Sequence, residues 1–169
     1  MHWAEFDYRR KSLEFTINAL EKAHKAIIKD RNKIFDIDRQ FAIEASTPIL
    51  GLCFIAFQNY INHTIADFFP NNKYDYYNLE NNEKLNSRID LIIALANVAK
   101  HKEEEKINVM THKWTRERLE RFGLKYDDGI SDILYNGLGI LSAKYSIKDV
   151  TQLCFEWREK LVYLVRNSK

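Results

Sequence analysis

The chain has 169 residues, 46% hydrophobic and 30% charged, enough for one folded domain with a sizeable core. Only 5 Gly and 2 Pro argue against a many-stranded sheet and for long helices. A balance of 26 basic against 24 acidic residues, net +2, leaves any nucleic-acid contact to local clustering.

Residues 4–33 read as a first helix, with Phe6, Leu13, Ile17, Leu20, His24, Ile27 and Ile28 at three- and four-residue steps. "DIDRQ" (36–40) reads as a polar break. A second helix is expected over 41–69, with Pro48 at a kink or in its first turn, because proline lacks the amide donor. "FPNNKYDYYNLENN" (69–82) reads as a loop. A third helix is expected over 82–105, its apolar face formed by Leu85, Ile89, Ile92, Ile93, Ala96 and Ala99.

From 106 to 145 the pattern weakens. "TRERLERFG" (115–123) reads as a short helix with Gly123 as its C-cap, "KYDDG" (125–129) as a turn, and "SDILYNGLGIL" (131–141) as a short strand or a loosely held helix. A last helix begins at Ser146. There "SIKD" resembles a capping box with Asp149 in place of the usual Glu or Gln, and Val150, Leu153, Cys154, Trp157, Leu161 and Leu164 form the apolar side. The expected architecture is all-α: a single-domain four-helix bundle with an irregular 40-residue excursion, 106–145, before the last helix.

Cys53 and Cys154 lie inside apolar helical patterns with no CxxC, so two buried thiols in a reducing compartment are expected. "MHWAEFDYRRK" has no apolar signal region, and the longest apolar run, "PILGLCFIAF" (48–57), is shorter than the ~20 residues that span a bilayer. A cytoplasmic protein without membrane contact is the expectation. No HExxH, His-x3-His, paired-carboxylate cluster or Gly-rich phosphate loop is visible, so neither metal nor cofactor is expected.

The informative stretch is "LIIALANVAKHKEEE" (91–105), where an apolar helix runs out at Asn97, Lys100 and His101. Asn97 and His101 share one helix face, with Lys100 toward its edge, so the three can form an anion site. The plain alternatives are a buried amide satisfied by a neighbouring helix for Asn97, and a last-turn cap against the helix dipole for His101. On the second helix, Gln58, Asn59, Asn62, His63 and Asp67 form a polar flank. It either packs against Asn97 and His101 or faces solvent.

"ALANVAKHKEE" (94–104), with Asn97 and His101 four residues apart, resembles the second half of a motif in the HEPN superfamily of compact all-helical proteins of bacterial conflict systems. The resemblance implies a helical bundle, often a homodimer, whose active members cleave RNA without metal through paired Arg and His residues. The family pattern is Arg, four to six residues, then His. Here Ala94, Leu95 and Ala96 occupy those positions, and only Lys106 ahead of His112 mimics the spacing. A guanidinium grips two phosphate oxygens where an ammonium cannot, so the missing Arg points away from cleavage.

Two further stretches suit partner binding. "HKWTRERLERFGLK" (112–125) carries Trp114, Arg118, Arg121 and Lys125 as a helical stripe, able to meet an acidic protein surface or stacked bases. "NKYDYYN" (72–78) clusters Tyr74, Tyr76 and Tyr77, rigid rings that cover area at low entropic cost. The expected function is a non-enzymatic module that binds a protein, a toxin, as an immunity protein or antitoxin. The alternative is a divergent RNA-binding ribonuclease using His101 as acid or base, Asn97 to orient phosphate and Lys100 in place of Arg.

Overall fold

The computed structural model describes residues 6–29, 36–69, 83–101 and 109–167, with only the backbone of Lys29, 36–39, 83–86 and 109–112. Tyr74, Tyr76 and Tyr77 lie outside the described residues. Within them the chain forms six helices: α1 Arg10–Lys29, α2 Asp36–Phe68, α3 Glu83–His101, α4 Val109–Glu120, α5 Ile130–Leu141 and α6 Ile147–Asn167. The all-α expectation holds.

α1 buries Leu13, Ile17, Glu21 and His24, the inner stripe that three- and four-residue steps dictate. Phe6 departs from the expected face. The chain turns ahead of the helix, where the Arg10 amide donates to the Asp7 carbonyl at 3.3 Å, and Phe6 is left 76% exposed.

The expected polar break at 36–40 is helical, and α2 starts there. Pro48 therefore sits well inside a 33-residue helix and not in its first turn. Just ahead of it the hydroxyls of Ser46 and Thr47 both donate to the Ile43 carbonyl, at 2.9 and 3.0 Å. Such back-bonding and interior proline both accompany helix bending. By length and composition alone, residues 40–68 could cross a bilayer, which the 48–57 run did not suggest. In the fold this helix touches α1, α3, α5 and α6 and buries Phe54, Phe57, Ile61 and Ile65. That arrangement is compatible with a soluble protein.

α3 is enclosed by α2, α4, α5 and α6, and every side chain from Leu91 to Ala96 is buried. A helix surrounded on all sides is apolar all round, which explains the unbroken "LIIALA".

The region expected to be irregular, 106–145, contains α4 and α5. α4 gave a weak pattern because, among its described side chains, Thr115 and Leu119 form a narrow buried edge. α5 read equally well as a strand because its buried residues, Ile133, Leu134, Tyr135, Leu138 and Leu141, run close together in a short segment, which blurs the helical period. Gly123 ends the α4 turn as expected. With φ +72° it lets the Leu124 amide reach the Leu119 carbonyl (3.1 Å) and its own amide reach that of Glu120 (3.0 Å), with both leucines buried.

At the start of α6 the capping box is completed by a relay. The Asp149 amide donates to Ser146 Oγ at 3.3 Å. The reciprocal arm runs through Ser142, whose Oγ donates to Asp149 Oδ2 (2.6 Å) and accepts from the Ser146 amide (3.1 Å). Aspartate is one methylene shorter than the usual glutamate, and the serine hydroxyl bridges the gap. α6 runs antiparallel to α1: Arg10 pairs with Glu159 at one end, and Glu21 accepts from the Lys148 amide at the other.

Candidate functional site

At the C-terminal end of α3, one chain of hydrogen bonds joins three helices. Lys100 Nζ donates to Gln58 Oε1 at 2.6 Å, Gln58 Nε2 to Asn97 Oδ1 at 2.8 Å, and Asn97 Nδ2 to Thr115 Oγ1 at 3.3 Å. Gln58 comes from α2 and Thr115 from α4, and both are buried. Polar groups survive there because each is bonded; stranding one would cost about 1–3 kcal/mol. Lys100 is half-buried, and the loss of water pushes its pKa below the usual lysine value. The Asn97 amide thus takes the interhelical role open to it from sequence, and His101 stands next to Lys100, half-buried, as the last residue of α3.

Of the expected polar flank on α2, Gln58 reaches this network. Asn59 and His63 are exposed and line a different groove of about 270 Å³, with Arg9, Ser12, Leu13 and Thr16 of the α1 region. His63 Nδ1 lies 2.7 Å from the Asn59 carbonyl, which can only accept, so Nδ1 carries the hydrogen. Asp67 pairs with Arg9. Thr115 was missed in the sequence because a single threonine in a charged helix carries no periodic signal.

The stripe on α4 divides. Arg118 is only 16% exposed at its side chain, with Nε 3.4 Å from Asp90 Oδ1 on α3. Arg121, beyond the helix end, reaches Asp90 Oδ2 at 3.7 Å and stays 66% exposed. Trp114 is 44% exposed, with the Arg118 guanidinium over its ring at 5.0 Å. Gly123 and the turn after it take Lys125 off the stripe. The surface is a tryptophan backed by an anchored arginine, with the exposed Arg121 guanidinium following on the chain.

A second buried cluster ties down the chain ahead of α1: Tyr60 Oη donates to Asp7, whose Oδ2 also lies 3.5 Å from Arg158 Nε. Burial and that bonded carboxylate both push the Tyr60 pKa far up. Among the described residues, no three His, Cys, Asp or Glu side chains gather to hold a metal.

Comparison with known proteins finds no family model, no curated protein and no solved structure that matches this chain.

Proposed function

We propose that this chain is a non-enzymatic protein-binding module, an HEPN-like helical bundle acting as an immunity protein or antitoxin that occupies the surface of a toxin. The observation that carries the reading is the engagement of Asn97 and Lys100 in an internal chain with Gln58 and Thr115, which leaves them little freedom to grip a phosphate. The arginine of α3, Arg88, lies thirteen residues from His101, roughly 20 Å along the helix, and donates to the Leu141 carbonyl at 3.0 Å. Binding would draw on Trp114, Arg118 and Arg121, with Tyr74, Tyr76 and Tyr77, outside the described residues, as further candidates from the sequence. A tryptophan stacked with an arginine is a composition that interface hot spots favour.

The experiment is expression of the chain in bacteria, followed by affinity capture of partners. Harmless expression and recovery of a stoichiometric partner, lost in Trp114→Ala, is the expected result. Growth arrest with no captured protein would sink the reading.

One observation stands beside a second reading, a divergent ribonuclease: Lys100 and His101 are adjacent and half-buried at the end of α3, although the desolvation that lowers the Lys100 pKa works against the cation this reading needs. That reading requires RNA cleavage in the presence of chelator, abolished by His101→Ala. Intact RNA after incubation with purified protein removes it.

A further inference from the structure

His24 of α1 is 2% exposed, and its Nε2 has no hydrogen-bond partner in the structure. An imidazole nitrogen with no partner in the interior is unusual, since buried polar atoms are nearly always bonded. One helical turn earlier on the same face stands Glu21, 4% exposed. Its carboxylate is divided between two helices. Oε1 accepts from the backbone amide of Lys148, the second residue of α6, at 3.4 Å, and Oε2 lies 3.4 Å from Lys25 Nζ. A carboxylate at that position satisfies an amide that α6 cannot satisfy itself and meets the positive end of its dipole.

We propose that His24 and Glu21 form an acid-sensitive latch between α1 and the start of α6: protonation of the buried imidazole draws the Glu21 carboxylate off the Lys148 amide and loosens the two helices from each other.

The groups around His24 and Glu21 make this a two-way choice. On α1 these are Glu21 and Lys25. On α2 the thiol of Cys53, held up at about 12 by burial and by Glu21, stays neutral throughout the relevant range. On α6 the Lys148 amide competes for the same carboxylate, while Asp149 is engaged by Ser142. Glu21 is therefore the one anion among these groups positioned to receive a newly charged imidazole. Burial lowers the His24 pKa, Glu21 partly opposes this, and Lys25 adds to it. With the folded value below that of the unfolded chain, the unfolded state binds more protons between the two. Stability is then full above the unfolded value, near 6.5, and falls as pH drops below it.

The test is amide hydrogen exchange read at Lys148, with a histidine titration by NMR, on the whole protein between pH 7.5 and 5. The expected result is that Lys148 protection falls with pH in the wild type and that His24→Gln abolishes this loss. Glu21→Gln, which keeps an acceptor but loses the charge, should keep Lys148 protected at low pH. If His24→Gln does not fold, the wild-type titration decides alone: the His24 resonance must titrate below 6.5, in step with Lys148 exchange. Protection that is flat with pH, or a pH-dependent loss that survives in His24→Gln, overturns the latch.

Discussion

Gly137 on α5 and Leu95 on α3 approach so closely that a Cβ on the glycine would fall 2.5 Å from the leucine Cδ2. Leu95 is fully buried, and even its Cγ would lie 3.1 Å from the new Cβ, so relief needs a shift of the side chain within a packed core. Gly137→Ala should therefore destabilise the protein by about 1–3 kcal/mol despite the better helix propensity of alanine. In urea melts the double variant Gly137→Ala/Leu95→Ala should lose less than the sum of the single changes. Strict additivity would mean that the contact is not what limits packing there.

The α2–α3–α4 network makes a different prediction. Asn97→Leu removes the acceptor of Gln58 and the donor to Thr115, both buried. A loss of about 2 kcal/mol or more is expected, since two buried groups are stranded. Stability unchanged within error would show that water replaces the amide, and the network would then be dispensable.

Trp114→Ala should separate binding from folding. The ring is 44% exposed and supports Arg118 from outside, so thermal stability should move little. Partner affinity should fall by about 2 kcal/mol or more, measured by calorimetry. Arg118→Ala should cost stability as well, because Asp90 then keeps only the longer contact with Arg121.

Arg158 and Asp7 form a buried ion pair completed by Tyr60. Arg158→Met leaves a carboxylate in the interior without its charge partner, and a cost of about 3–5 kcal/mol is expected. Arg158→Met combined with Asp7→Asn should recover much of that loss. Denaturation midpoints that do not recover would assign the cost to packing.

Cys53 and Cys154 are both buried, and burial pushes both thiols up, that of Cys53 to about 12. Alkylating reagents attack the thiolate. Native protein at pH 8 should therefore resist labelling at both positions, and modification should track unfolding in denaturant. Rapid labelling of the native protein would contradict the packing of α2 against α1 and α6.

The helix ends were legible where the signal is local. Gly123 follows from the need for a left-handed residue after α4, and "SIKD" announces the start of α6 through its own side chains. The relay through Ser142 was not legible, because it depends on how the α5–α6 corner folds back. Periodicity misled at α5 and at the α2 start for opposite reasons. The buried residues of α5 run so close together that a strand fits them as well as a helix, while "DIDRQ" is polar yet lies within a helix. The candidate site was half legible. Asn97 and Lys100 stood out as polar residues at the end of an apolar helix, but their partners Gln58 and Thr115 come from 39 and 18 residues away.

The sequence by itself determined that the chain is helical, where two helix termini lie, and which apolar stripes turn inward, because spacing and capping are properties of neighbouring residues. Only the tertiary structure decided what the polar residues do. Whether an amide on α3 meets a phosphate or the glutamine of α2, and whether an arginine on α4 reaches outward or to Asp90, depends on which helices come together, and burial leaves a polar side chain only the partners that packing brings within 3.5 Å or so.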